Sequence, residues 1–247
     1  MEREIDKVIG EVNTSKIKGI KNLWKLLTLV AVLSTVVSTP IIMNAAASPT
    51  TIYAVEPVNN FGDPTDTFTV SIKVYDADCM YSWQVYMIWD DALLEFSDLA
   101  FGGFLADQPE GSDINARIEA GWLIVGEATK GQYVGKSAPE GLLVNITFLV
   151  TGVGGCDLDI YSDFTYYYYC FQPPMTQKRY PTRENGYFRT LAGDIDGDRD
   201  VDPSDFYLFS GAYGTSPPSD PRCDLDNDGD VDPGDFYVFS GNYGKTI

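Results

Sequence analysis

One unit occurs twice near the C-terminus, 30 residues apart, and no other feature narrows the fold as much. The first copy reads Asp194-Ile-Asp196-Gly-Asp198-Arg-Asp200-Val-Asp202-Pro-Ser-Asp205-Phe-Tyr-Leu-Phe-Ser-Gly-Ala-Tyr-Gly. The second reads Asp224-Leu-Asp226-Asn-Asp228-Gly-Asp230-Val-Asp232-Pro-Gly-Asp235-Phe-Tyr-Val-Phe-Ser-Gly-Asn-Tyr-Gly. Each sets oxygen-bearing side chains at loop positions 1, 3, 5, 9 and 12. A tight loop aims alternate side chains at one point, and calcium takes roughly six to eight oxygens at about 2.3–2.6 Å. The spacing therefore predicts two calcium ions, one in each loop.

Asp194, Asp196 and Asp198 supply the first carboxylates of one site, and Asp224, Asp226 and Asp228 those of the other. Asp200 and Asp230 offer main-chain carbonyls. Asp202 and Asp232 act directly or through water. Asp205 and Asp235 close each loop from the first turn of a following helix. The sixth position needs a backbone turn that glycine makes cheaply. Gly229 supplies it, whereas Arg199 adds strain on the order of 1 kcal/mol. The first site is therefore expected to be the weaker. Val201 and Val231 suit a short β-bridge between the two loops. Phe206, Phe209, Ser210 and Tyr213 recur at helical spacing, as do Phe236, Phe239, Ser240 and Tyr243, and each stripe reads as a small core between two helices. Tyr207 and Tyr237 point off that stripe, toward a partner. No helical pattern precedes either loop, so each unit is a loop followed by a helix.

This duplicated loop-and-helix resembles a dockerin of the type I kind, over about 55 residues. The resemblance implies calcium-dependent binding to cohesin domains, with an internal pseudo-symmetry that allows two docking orientations. It also implies recognition through loop positions 10 and 11 and the exposed helix face. Here those loop positions are Pro203-Ser204 and Pro233-Gly234, which depart from the usual paired hydroxyl or charged residues. Ser204, Tyr207 and Tyr237 are the partner-binding candidates.

The N-terminus carries Lys16, Lys18, Lys21 and Lys25, then an apolar run from Leu26 to Met43, then Ala45-Ala46-Ala47. This is the layout of a secretory signal spanning 1–47, or of an anchor if it is not cleaved. The chain has 17 Lys and Arg against 36 Asp and Glu, a net charge of −19. Residues 1–47 hold six of the former and four of the latter, so the remainder carries 11 against 32, or −21. Such a surface repels nucleic acid and anionic lipid headgroups, leaving the N-terminal segment as the only route to a membrane. It suits a secreted or extracellular protein, associated with the cell surface. Histidine is absent, which removes Ser-His-Asp and Cys-His catalysis and His-ligated zinc. Cys79, Cys156, Cys170 and Cys223 contain no C-x-x-C pair and read as disulfide partners in an exported chain. Four cysteines allow three pairings. The short separation favours Cys156 with Cys170, leaving Cys79 to join Cys223 across the two domains, or Cys223 to bond across molecules.

From about Thr51 to Arg189 the pattern is strand-like. Phe68–Tyr75, Ser82–Trp89 and, in part, Leu142–Val150 alternate, and Gly, Pro, Asp and Asn divide short β-rich runs. An all-β sandwich of about eight or nine strands is expected. Five stretches resemble a divergent cohesin-like domain. They are Met80–Phe96, Gly102–Leu105, Gly121–Gly126, Gly141–Phe148 and Asn185–Phe188. The resemblance implies a jelly-roll sandwich that uses one sheet face to grip a dockerin. Trp83, Val85, Met87 and Trp89 share one face of a strand and read as core. The run Tyr166-Tyr-Tyr-Tyr169 reads as an amphipathic strand or packed loop rather than a sugar platform. Asp90, Asp91 and Glu95 are weak grounds for a catalytic acid pair in so acidic a chain. Asn145-Ile-Thr147 is a glycosylation sequon.

The expectation is thus a mainly β chain: a cohesin-like jelly-roll sandwich at 48–190 and a small α-helical, dockerin-like calcium module at 191–247. Its function would be non-catalytic, calcium-dependent assembly with cohesin or dockerin modules of other proteins or of its own copies. The short connection at Leu191-Ala192-Gly193 is expected to keep the module from folding back onto its own sandwich. The main rival is a carbohydrate-binding or carbohydrate-active module delivered to a scaffold, which adds polysaccharide as a partner. A second rival is an envelope lattice component in which calcium serves only the fold.

Overall fold

Alternating apolar residues build the sandwich, and one strand shows how. The computed structural model describes residues 51–130, 135–170 and 176–247; the N-terminal signal or anchor expectation lies outside them. The two alternating runs expected as separate strands form one strand of 22 residues, β3 (Thr67–Ile88). In its first half the even-numbered Val70, Ile72 and Val74 are buried; in its second half the odd-numbered Trp83, Val85 and Met87 are. The parity changes where Asp76 and Cys79 take positive φ of 51° and 38° and the pairing register slips between Ala77 and Met80. A bulge adds residues to one strand and turns its faces over, so Asp76–Cys79 bends the strand instead of ending it.

That bend lets β3 serve both layers. Its first half pairs with β1 (Ile52–Glu56) and β7 (Lys136–Val150), and β7 carries β4 (Leu94–Phe101) on its other side. Its second half pairs with β6 (Trp122–Thr129) and β9 (Tyr166–Cys170). β5 (Ser112–Glu119) lies beyond β6, and β10 (Thr176–Arg179) beyond β9. At its end β3 meets β8 (Gly155–Ile160), which leads through β12 (Gly186–Arg189) to the parallel strand β2 (Asn59–Phe61). β11 (Thr182–Glu184) runs parallel to β1. The described residues therefore hold twelve strands, more than the eight or nine expected, because short edge strands such as β2 and β11 carry no alternating pattern. Tyr53, Trp83, Phe148 and Phe188 fill the space between the layers, and each stabilises the fold by roughly 1.5–3 kcal/mol through burial.

The disulfide corrects the expected pairing. Cys79 joins Cys170, with Cα atoms 5.4 Å apart, while Cys156 and Cys223 are free. The β3 bulge brings Cys79 beside the end of β9, where Met80 faces Tyr169. Cys156 instead faces Phe188 across β8 and β12, and Cys223 is buried in the module core. Proximity along the chain was a poor guide because strand pairing places residues 91 apart side by side.

Two helices, α1 (Pro203–Ala212) and α2 (Pro233–Asn242), complete the fold, with a 3-10 turn at Pro221–Cys223 ahead of the second loop. Asp202 and Asp232 cap them, and proline at the first helical position needs no partner for its missing N–H. Among the described residues no helix is long and apolar enough to cross a membrane.

Candidate metal centres

Each acidic loop winds around its own carboxylates. Asp194 accepts from the backbone N–H of Gly197 and Arg199 at 2.8 and 3.1 Å. Asp205 reaches back from α1 to accept from Ile195 and Asp196 at 2.7 and 3.1 Å, and from Asp202 at 2.9 Å. The second loop repeats this. Asp224 accepts from Asp228 and Gly229, both at 3.1 Å. Asp235 accepts from Leu225, Asp226 and Asp232 at 2.5, 3.1 and 2.8 Å. Asp205 and Asp235 therefore close the loops and complete the helix capping boxes at once.

The backbone reasoning about position six holds. Gly229 has φ of 97°, and Arg199 is forced to 80°, in the region where a Cβ is penalised. Position four is a second such place, with Gly197 at 84° and Asn227 at 61°. The sequence reading passed over it, although glycine and asparagine are the two residues that enter this region most readily.

Carboxylate oxygens gather within 4.8 Å of one another in four groups. Asp194, Asp196 and Asp205 form one, and Asp198, Asp200 and Asp205 another; the second loop groups Asp224, Asp226 and Asp228, then Asp228, Asp230 and Asp232. Asp202 and Asp235 stand outside these groups. One oxygen of Asp202 is taken by Ser204 N–H at 2.6 Å, and both oxygens of Asp235 accept backbone bonds. Withdrawal from water raises the Asp194, Asp196, Asp224 and Asp226 carboxyls above their ordinary range, and the negative charge of Asp205 or Asp235 raises them further. A bound cation would relieve both strains. One more observation fits an oxygen-seeking divalent ion. Asp200 Oδ1 and Asp230 Oδ1 are shielded from water and have no hydrogen-bond partner. An unpartnered anionic oxygen at the same place in both loops is costly unless something positive meets it. The donors are all oxygen, the set that suits calcium rather than zinc or copper.

Val201 and Val231 do not bridge to each other. Val201 exchanges backbone bonds with Gly244 and Lys245 after α2, and Val231 with Gly214 and Thr215 after α1. Each loop is thus tied to the tail of the other helix. The helix stripes are core only in part. Phe209 and Phe239 are 1% exposed and stack at 5.2 Å, but Phe206, Tyr213, Phe236 and Tyr243 are 45–51% exposed. Tyr207 and Tyr237 point away from the stripe at 77% and 80% exposure, so both helices leave several aromatic rings open to solvent. Ser204 is exposed in the first turn of α1.

The module rests on its own sandwich, against expectation. Phe61 of β2 packs against the module core, and Asn59 hydrogen-bonds to the second loop. The short connection does not hold the two parts apart; the second loop is hydrogen-bonded to the sheet edge and Phe61 reaches the core between the helices.

On the sandwich, Trp83, Val85, Met87 and Trp89 are core as expected, and Tyr167 is buried while Tyr166 and Tyr168 face out. Tyr168 lies tilted against Tyr81 and edge-on to Tyr166, Tyr86 meets Trp122, Tyr161 and Phe164, and Lys178 sits 3.8 Å from the centre of the Tyr166 ring. This outer face of β9, β3 and β6 was not assigned from sequence, because its aromatic residues come from three separate stretches. Asp91 and Glu95 line an open cleft with Glu119, whereas Asp90 turns back to accept from Ala92 N–H at 2.9 Å. Asn145 is half-buried on β7, and its Oδ1 accepts from Ser71 at 2.8 Å.

No protein-family model and no curated protein matches the chain. Solved structures resemble part of it. A non-cellulosomal cohesin from the hyperthermophilic archaeon Archaeoglobus fulgidus is 20% identical, covering 57% of this chain and 90% of its own, with a TM-score of 0.45. The seventh ScaB type I cohesin from Pseudobacteroides cellulosolvens is 16% identical over 56% of this chain and 90% of its own, at 0.46. A chain of a type I cohesin–dockerin complex from Clostridium thermocellum is 15% identical over 57% and 98%, also at 0.46. Likeness at this level does not carry function across. The chain is mainly β, with a β-sandwich followed by a small two-helix region bearing acidic clusters.

Proposed function

We propose that this chain is a secreted, non-catalytic assembly protein whose C-terminal module binds two calcium ions and docks into a cohesin-like partner. The observation that carries this reading is the exposure of Phe206, Tyr207, Tyr213 and their α2 counterparts. A helix pair that left so much aromatic surface in water would be costly unless a partner covered it. The pseudo-symmetry of α1 and α2 offers that partner two orientations. Calcium acts at the helix starts: Asp202, Asp205, Asp232 and Asp235 belong both to the loops and to the helix caps, so filling a loop fixes the start of its helix. The Cys79–Cys170 disulfide suits an oxidising, extracellular compartment.

The outer aromatic face of β9, β3 and β6 is the proposed gripping surface of the sandwich. With a gripping and a gripped half on one chain, head-to-tail contact between copies follows, and such contacts grow into filaments unless they close into a ring. Size-exclusion chromatography with light scattering on the full chain tests this. Association is expected to rise with concentration in millimolar calcium and vanish in chelator. Monomers in both would exclude self-assembly and leave an adaptor for other cohesins. A second reading is favoured by Tyr166, Tyr168 and Lys178 on the same face, since flat exposed rings also stack on sugars. Polysaccharide pull-down by the full chain, lost on Tyr168→Ala, would establish it.

A further inference from the structure

The contact between the second loop and the sandwich is built like a missing strand. β2 ends its sheet path, so the free N–H and C=O of Asn59 lack a strand partner on that edge. Asn227 supplies one. Its Oδ1 accepts from Asn59 N–H at 2.8 Å, and its Nδ2 donates to Asn59 O at 3.1 Å. The Asn59 side chain answers in the other direction. Its Nδ2 donates to Pro221 O and Asp224 O, both at 2.7 Å. Asn59 is 5% exposed, so these bonds are sheltered from water. Four hydrogen bonds thus join one sandwich residue to the second loop and its approach: two to loop position four, one to the carbonyl of loop position one and one to Pro221 O. The first loop has glycine, Gly197, at position four, with open space where a side chain would be.

We infer that Asn59 is a positioning residue for the second cation site, so that filling this loop and locking the module onto the sandwich are one coupled event. The inference rests on the calcium reading of the loops. Asn227 holds the left-handed turn that carries the backbone from Asp226 to Asp228, and Asn59 fixes Asn227 and the peptide of Asp224. Three of the carboxylates that converge in this loop are therefore set by the sandwich before an ion arrives. Linkage makes the effect reciprocal: a cation that prefers the latched loop strengthens the latch by the same factor.

Calorimetric calcium titration of the full chain is the test, with hydrogen exchange at the Asn59 amide as a second readout. Asn227→Gly removes the latch and keeps a residue that accepts positive φ, as Gly197 does in the first loop. The variant is expected to weaken the tighter of two binding events by about tenfold, the worth of two sheltered hydrogen bonds, and to leave the other unchanged. The Asn59 amide, slowed by calcium in the native chain, should exchange fast with or without calcium. Asn227→Asp, which keeps the acceptor and loses the donor, should fall between. Two unchanged events in Asn227→Gly would overturn the latch while leaving the calcium sites intact. A native chain that binds no calcium would overturn both.

Discussion

The two acidic loops are near copies in sequence and in hydrogen bonding, yet they are not equivalent sites. Both wrap their first aspartate in backbone N–H groups and are closed by the third residue of the following helix. Among the described residues, the hydrogen bonds that brace the first loop come from its own module: Val201 and Arg199 bond to Gly244, Lys245 and Ile247, and Arg222 donates to Ile195 O at 3.1 Å. It also strains Arg199 into a left-handed turn. The second has glycine at that turn and asparagine bonded to the sandwich two residues earlier. Duplication therefore copied the donor set but not the support around it. Affinity should follow the support, because a loop already held in shape loses less entropy when the ion binds.

The largest effect expected is common to both loops, and it sets the scale for their difference. Without metal, crowded carboxylates oppose a module core too small to stand alone. Chelator should abolish the helical circular-dichroism signal and expose Cys223, which is buried in that core and whose thiol burial pushes up to about 12. Thiol labelling with peptide mapping reads this directly. Equal protection of Cys223 in calcium and chelator would show that the loops fold without metal. Next come the first ligands. Asp224→Ala should weaken the tighter event by more than about 100-fold, since it removes a ligand and strands two backbone N–H groups. Asp194→Ala should do the same to the weaker event and leave the Asn59 amide protected. If Asp194→Ala also released Asn59, the two loops would be a single unit and the contrast would fail.

Arg199→Gly and Gly229→Arg probe the strained turn in opposite directions. About 1 kcal/mol of strain corresponds to roughly fivefold in affinity, so the first loop should tighten and the second weaken by that factor. No change in either would assign the whole difference to the sandwich contact. The smallest effect belongs to single changes among the exposed helix tyrosines. Tyr207→Ala or Tyr237→Ala alone should reduce calcium-dependent association by about twofold if two docking orientations are equivalent, and the double variant should abolish it. Unequal single variants would mean that one orientation dominates, as the asymmetric loops suggest.

The acidic loops were legible in the sequence because their pattern is local. Alternate aspartates within twelve residues turn toward one point whatever lies around them, and Arg199 betrayed its strain by occupying a glycine's place. The sandwich core was legible for a related reason, since alternation in Ser82–Trp89 needs only the pleat of a strand. What failed was pairing across distance. The Cys79–Cys170 bond depends on a bulge that brings the middle of β3 beside β9. The helix stripes were read as core because helical spacing marks a face without telling how much of it a partner helix covers; Phe206 and Tyr213 lie at its uncovered margin.

By itself the sequence determined the donor chemistry, the class of each part, the strained position in the first loop and the exclusion of histidine-based catalysis. These follow from residue type and short-range spacing, which no later packing can change. Only the tertiary structure decided where the valine bridges run, which cysteines meet, and that Asn227 completes the free edge of β2. Those contacts join residues as many as 168 positions apart, and a hydrogen bond across that separation exists only once two folded surfaces have been brought to within three ångströms or so of each other.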